Sequence, residues 1–418
     1  MSAAEQHRPG VNKPISTAGP TPIDSRVDTE LEAYMQANSI VESEEGEERR
    51  AKVVTVLQDM LRQWVVDVGV KKGLFTAEEF GSIDGAGLLS VFGSQRLGVH
   101  GPDSDIDVLC VCPQFITRHD FFVYFCMLLH ESPHASMVLA VPEAYTPVVK
   151  FNFMEQPVDM IFVALPVRSI PSDIDLLDDA LLKEQDEKGV RSLNGVRVAQ
   201  YLVSAVPNFD VFRSALRAIK FWGRRRGIYS NVLGFLGGIN FALLVAFVCQ
   251  LHPNTCTACI VQRFFKIYFH WVWPNPIMVA PPADYQFGSM VSWNYMKHMK
   301  DRADLMPIVT PAVPQMNSAY NMSPPQFRAI QEEIMRGHSL LTRWPKESSL
   351  DMWVELFSPG MPSFLTKFPR YVQVDIISQS GESNHRRWFS WCESRMRLLL
   401  KGIEMPNVIF CHPITNCY

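Results

Sequence analysis

Residues 92–110 read FGSQRLGVHGPDSDIDVLC, and two acids in that run, Asp105 and Asp107, constrain the fold more than any other feature of the chain. The apolar stretch they introduce is β-prone, and side chains on a strand alternate faces, so residues two apart point the same way. Asp105 and Asp107 therefore converge, while Ile106 and Val108 turn to the other face and into a core. Two carboxylates held this close repel each other and lose solvation, which shifts their pKa values unless a cation lies between them. Hard oxygen ligands of this kind select Mg2+ or Mn2+. An isolated D-x-D also fits two exposed acids on an edge strand, so the surroundings have to decide.

Those surroundings favour a metal. Gly93 and Ser94 close the preceding strand at a turn whose backbone N–H groups can cradle phosphate. A third acid, Asp159 in QPVDMIFVAL, lies in another apolar strand. Three strand carboxylates beside a Gly-Ser turn fit a two-metal phosphoryl-transfer site. No rival phosphate motif competes, because neither G-x-x-x-x-G-K-[ST] nor G-x-G-x-x-G occurs.

Bulk properties exclude several classes. The chain has 418 residues, enough for two or three domains, with 47% hydrophobic and 20% charged residues. The net charge of −4 makes it no polycation, so any nucleic-acid contact needs a local basic patch. Nine cysteines, an odd number, are scattered and partly embedded in apolar runs (Cys110, Cys126, Cys249), which reads as reduced thiols. The opening MSAAEQHRPGVNKP lacks the apolar centre of a secretory signal. Residues 232–251, VLGFLGGINFALLVAFVCQL, are long enough for a membrane span but carry Gly-Gly, Asn240 and Gln250, and read as a buried helix after a Gly-rich turn.

Residues 1–40 are Pro-rich and polar and are expected to be extended at first. The acidic run ESEEGEERR at 42–50 leads into Val54, Leu57, Leu61, Trp64 and Val68 at helical spacing. LLSVFGS, DIDVLCVCP, PVVKFNF and VDMIFVAL read as strands, and HDFFVYFCMLLHES between them as a helix. From 173 to 340 the pattern is mainly helical, with a proline-rich loop over 301–325. After 345, RYVQVDIIS, NHRRWFSWCESRMRLLLKGIE and NVIFCHPI suggest a β-α-β unit.

On the helix PNFDVFRSALRAIKFWGRRRG, Arg213, Arg217, Lys220 and Arg224 share one face and Phe212, Leu216 and Ile219 the other. Such a stripe is usually a solvated face; free of acids and ending in RRRGIYSN, it also suits a triphosphate or an RNA backbone. HPNTCTAC offers His252, Cys256 and Cys259, but zinc wants four ligands and no second pair is near.

The chain resembles the eukaryotic poly(A) polymerases of the polymerase-β-like nucleotidyltransferase superfamily. The resemblance is carried by FGSQRLGVHGPDSDIDVLCV, PVVKFNF…VDMIFVAL, SLNGVRVAQYLVSAVPN, FRSALRAIKFWGRRRGIYSNVLGFLGGINFALLVAFVCQLHPN, FFKIYFHWVWPNPI and DLMPIVTPAVPQMNSAYNMS, between about residues 10 and 345. It implies an α+β protein with a polymerase-β-like nucleotidyltransferase domain, a helical middle domain and an RNA-recognition-like (ferredoxin-like) C-terminal module. The implied division is a disordered tail at 1–11, an N-terminal segment at 12–51 packing with the middle domain, a catalytic domain at 52–167, a middle domain at 168–344 and a partial RNA-binding domain at 345–418. It implies that Asp105, Asp107 and Asp159 bind two Mg2+ or Mn2+ ions and carry catalysis. Nucleotide contacts fall to Phe92, Gly93, Ser94, Lys150, Asn194, Lys220, Tyr229, Asn231, Gly238 and Ile239, and a base-stacking role on RNA to Tyr145.

The implied function is template-independent addition of AMP from ATP to RNA 3′ ends, in mRNA polyadenylation. Partners would be ATP, an RNA 3′ end and cleavage/polyadenylation factors, with no membrane and a monomeric state. The family's compartment is the nucleus. The chain stops at Tyr418, short of the family's complete C-terminal domain and basic targeting tail, which opens a cytoplasmic location. Two other readings stay open: a catalytically weak RNA-binding scaffold, and a nucleotidyltransferase using another nucleotide.

Overall fold

The computed structural model describes residues 12–38, 40–76, 78–79, 85–171, 173–344, 349–360, 366, 368–379, 381–404 and 411–413. The expected tail at 1–11 lies outside them.

Helix α1, Pro22–Ala37, corrects the extended reading of the N-terminal stretch. Thr21 and Asp24 form a reciprocal capping box, Pro22 starts the helix, and Val27, Leu31 and Met35 bury one face. Helix α2, Glu44–Lys71, is capped by Ser43 and carries three acids in its first turn. Leu57, Leu61, Trp64 and Val68 are buried as the spacing predicts, with Val53 rather than Val54 leading the stripe. It runs unbroken through residues 51 and 52.

Five strands form one sheet in the order β1-β2-β5-β4-β3: β1 Leu88–Val91, β2 Ile106–Pro113, β3 Ala135–Val141, β4 Val148–Phe153 and β5 Gln156–Leu165. Only β2 and β5 run parallel. Strand β3 was not legible in sequence. A register shift between Ser136 and Leu139, with Met137 at φ +57°, breaks its alternation, and its side chains are only half covered. Ile106, Val108, Cys110 and Cys112 turn one way, onto α2 and the helix α3 over residues 118–131. Leu109, Val111, Ile161, Val163 and Leu165 turn the other way, onto α4, Glu187–Ala205. Asp105, Asp107 and Asp159 share the parity of this second set, so they extend the face that the helical half covers.

That half is built from α5 Phe209–Arg225, α6 Gly238–Leu251, α7 Thr257–His270 and α8 Pro324–Leu341 around one core. Every residue of α6 from Asn240 to Leu251 is buried, and among the described residues no helix is long and apolar enough to cross a membrane. Helix α1 packs on α7 and on α9, Ser349–Leu356. Residues 301–325 are irregular apart from the end of a 3-10 turn, Met299–Ala303, the pair Ile308–Val309 beside Ile277–Met278, and the start of α8.

The expected β-α-β unit is not found in the described residues. Residues 370–378 form no ladder, and Val372 and Ile377 are about four-fifths exposed, so no core covers an apolar face there. The helical stretch divides into α10 Glu382–Glu393 and α11 Met396–Glu404. Most of the last expected strand, 407–414, lies outside the described residues, and 411–413 are irregular.

Candidate active site

The sheet brings the aspartates together. Asp107 faces Asp159 directly across the parallel β2/β5 pair, and Asp105 stands one residue before β2. One carboxylate oxygen from each lies within 4.8 Å of the others, the only such set of three metal-type ligand residues among the described residues. Burial, then the charges of Asp105 and Asp159, push the Asp107 carboxyl up to about 8. Burial also raises Asp159, against the opposing pull of Lys150. Lys150 is the neighbour of Asp159 on β4, and its ammonium ion-pairs with that carboxylate. Three converging carboxylates, two of them raised chiefly by burial, offer only hard oxygens, a donor set that fits divalent cations.

Gly93 shows why the turn needs glycine. It adopts φ +62°, and a Cβ there would stand 2.1 Å from Asp107 Oδ2. The Phe92 amide donates to the Asp107 carbonyl at 3.0 Å, tying the turn to β2.

A cleft of about 750 Å³ opens beside the acids. Asp105 and Asp107 line it together with Phe92, Gly93, Ser94 and Asn194. The opposite wall carries Lys220, Tyr229, Asn231, Gly238 and Ile239 from the helical half. Asp159, Lys150 and Tyr145 are not in this lining. Tyr145 is 59% exposed, with the Arg191 guanidinium 4.0 Å above its ring.

The basic stripe is a solvated face at Arg224, which is exposed, but not at Lys220. Lys220 is buried and donates to the Val99 carbonyl at 3.0 Å. Burial, and next the Arg224 charge, bring its ammonium down to about 8. Tyr229 stacks on Phe241 with ring centres 5.7 Å apart, and burial raises its hydroxyl. Its ring approaches Gly238 closely enough that a Cβ there would meet the hydroxyl at 2.9 Å.

Sequence reasoning missed a third wall: Thr310, Met316, Asn317, Ser318 and Tyr320. Ser318 is held by Asn240 Nδ2 at 2.7 Å and donates to the Ile308 carbonyl. The density of Pro, Asn and Gln in TPAVPQMNSAYN signals a backbone shaped by side-chain hydrogen bonds; it does not say which cleft the loop would face. Asp103 and Ser104 also reach the cleft. His252, Cys256 and Cys259 do not form a ligand set. Cys256 Sγ lies 3.8 Å from the Asp24 carbonyl, and Asp28 accepts from the Ala258 amide at 2.6 Å, so this corner fastens α1 to the start of α7.

Comparison with known proteins agrees with this geometry. The model of the poly(A) polymerase nucleotidyltransferase domain matches residues 10–206, and that of the poly(A) polymerase central domain matches 211–359. Nuclear poly(A) polymerase 4 of Arabidopsis thaliana is 40% identical over 412 residues, covering 98% of this chain and 54% of its own length. Poly(A) polymerase of Dictyostelium discoideum is 40% identical over 408 residues, 97% of this chain and 49% of its own. The chain thus spans about half the length of these relatives. Poly(A) polymerase PAPalpha of Candida albicans is 36% identical over 405 residues, 97% of this chain and 71% of its own. The crystal structure of Cid1 poly(U) polymerase with Mg 3′-dATP bound shares the fold, with a TM-score of 0.54 at 16% identity over 80% of this chain and 99% of that one. With two adjoining domain matches and a relative covered over most of its length, this chain belongs to the poly(A) polymerase family.

Proposed function

We propose that the chain is a template-independent polynucleotide adenylyltransferase that transfers AMP from ATP to an RNA 3′ end and releases pyrophosphate. The observation that carries this reading is the set of three carboxylates gathered within 4.8 Å at the edge of a cleft with basic and aromatic groups on its far wall. Divalent cations held there, Mg2+ or Mn2+, would supply the Lewis acidity that in-line phosphoryl transfer requires. Asp107 on β2, Asp159 on β5 and Asp105 just before β2 would hold them, Asp159 on the side that receives the RNA 3′-hydroxyl.

The remaining roles are part of the same proposal. Gly93 and Ser94 offer backbone N–H groups to the triphosphate, with Phe92 beneath them. Lys220 and Tyr229 face the phosphates, Asn231, Gly238 and Ile239 enclose adenine, and Asn194 completes the nucleotide site. Lys150 balances the charge of Asp159 beside the nucleotide. Tyr145 offers a ring for stacking on an RNA base, which is worth about 1–3 kcal/mol per base. The proposed division is an N-terminal segment at 12–51, a catalytic domain at 52–167 and a middle domain at 168–344, with 345–418 contributing to RNA binding. The enzyme would act as a monomer in mRNA 3′-end processing, in contact with cleavage and polyadenylation factors. Several relatives are named nuclear poly(A) polymerases, which supports a nuclear site of action.

Primer extension tests the reading. An oligo(A) primer is incubated with the protein, Mg2+ or Mn2+, and each ribonucleotide separately. A ladder with ATP alone is expected, and its loss in a folded Asp107→Ala protein. A ladder with UTP instead, or full activity in Asp107→Ala, overturns the assignment.

A further inference from the structure

Asp107 and Asp159 are fixed by the sheet, facing each other across paired strands, whereas Asp105 precedes β2 and stands outside the ladder. Something other than the sheet must aim it. We infer that Arg50, on α2, is the positioning residue that sets the orientation of Asp105, an inference resting on the two-cation reading of the three aspartates.

Arg50 is fully buried. Its Nη2, with two hydrogens to give, lies in donating range of three carbonyl oxygens of a single turn, one hydrogen being shared: Gly101 at 3.0 Å, Pro102 at 3.1 Å and Ser104 at 2.7 Å, the shortest. On the far side its Nε meets Glu42 Oε2 at 3.2 Å. The turn also closes on itself. The Ser104 amide donates to the Gly101 carbonyl, and the Gly101 amide to Ser104 Oγ, each at 3.0 Å.

The Ser104 carbonyl belongs to the same planar peptide unit as the Asp105 amide. Holding that oxygen therefore fixes the plane from which the Asp105 Cα departs. The neighbouring stretch is anchored as well: Glu47 Oε1 lies 2.9 Å from His100 Nε2, and Lys220 donates to the Val99 carbonyl. The acidic run at the start of α2 thus serves the loop that carries the first aspartate, since Glu42 and Glu47 are its members.

Packing alone does not account for a guanidinium here. A buried charge is expensive, and an apolar side chain would join α2 to the sheet at lower cost. A guanidinium sets Nη2 against the three carbonyls while Nε meets the carboxylate, leaving Nη1 buried without a partner among the described residues. Lysine keeps the charge but presents it as a point.

The test measures Mn2+ binding by electron paramagnetic resonance on the full chain with a non-hydrolysable ATP analogue, beside kcat and KM for ATP and thermal stability. Arg50→Gln and Arg50→Lys are expected to weaken Mn2+ about 10-fold or more. They should lower kcat while KM for ATP stays within about two-fold, and added Mn2+ should recover part of kcat. Val53→Ala, a core truncation on the same helix, is the control for stability: it should lower the melting temperature and leave Mn2+ affinity unchanged. If Arg50→Gln does not fold, Glu42→Gln loosens the guanidinium from its other side and should show the same effects in smaller measure. Wild-type Mn2+ affinity in folded Arg50 or Glu42 variants overturns the inference, as does an equal loss in Val53→Ala. Wild-type protein that binds no Mn2+, or an Asp107→Ala variant that binds as tightly as wild type, instead refutes the two-cation reading and takes this inference with it.

Discussion

Asp107 keeps its proton up to about pH 8 because burial and the charges of Asp105 and Asp159 all disfavour its anion. An unfolded aspartate lets go near pH 3.8, so the metal-free fold binds a proton that the unfolded chain lacks. That contribution to stability is complete below the unfolded value and is lost as pH rises toward about 8. Between pH 6 and 8.5, metal-free wild type should therefore lose melting temperature relative to Asp107→Asn, and saturating Mg2+ should remove the difference. A parallel pH dependence in the two proteins would show that Asp107 is not the titrating group. Lys220 moves the opposite way: burial lowers its ammonium to about 8, so its positive charge fades above that pH. KM for ATP should rise above pH 8 in wild type, whereas Lys220→Met should have a high KM at every pH, as initial-rate kinetics would show. The aspartates were legible because strand parity is a local rule, and Ile106 and Val108 are indeed buried opposite them. The burial of Lys220 was not legible, because a basic stripe on a helix looks the same whether water or a sheet edge lies across from it.

Elements extend the same contrast. The turn Gly93–Arg96 joins β1 to the loop before β2, and Gly93 lies over Asp107 at positive φ. Gly93→Ala should abolish primer extension and destabilise the protein by at least about 1 kcal/mol, the cost of a left-handed alanine before any clash with the carboxylate. Urea unfolding beside the primer assay checks both effects. Helix α1 escaped sequence reading even though Thr21, Pro22 and Asp24 are start signals and Val27, Leu31 and Met35 keep helical spacing. The Pro-rich residues before it masked a cap that is local and readable. At 370–378 the opposite happened. Alternating valines and isoleucine looked like a strand, but pairing is non-local, and among the described residues no strand pairs with this segment.

Across the whole molecule, the helical half is held by a half-buried ionic network that local pattern could not announce. Glu333 on α8 accepts from Arg226 at 2.8 Å and from Arg336 at 3.1 Å. Arg226 reaches on to the Ser358 carbonyl, and Arg336 to those of Glu355 and Leu356, so one carboxylate ties α5, α8 and the end of α9 together. Removing it leaves two guanidiniums uncompensated. Glu333→Ala should cost about 1–3 kcal/mol, while Glu333→Gln, which keeps an acceptor, should cost less. Urea midpoints for the two variants would check that order. A separate relay, Asn240–Ser318–Ile308, holds the cleft wall formed by residues 310–320.

The sequence by itself determined the Asp105–Asp107 pair, the glycine turn beside it and the buried core helix over 238–251, because each rests on spacing along one strand, turn or helix, and the motifs together pointed to the family. Tertiary structure alone decided that Lys150 pairs with Asp159, that Lys220 turns inward, that residues 310–320 supply a third wall, and that Arg50 grips the loop before Asp105. These contacts join residues dozens to more than a hundred positions apart or cross between strands. Long-range pairing is chosen by the packing of whole faces, which no short window of sequence contains.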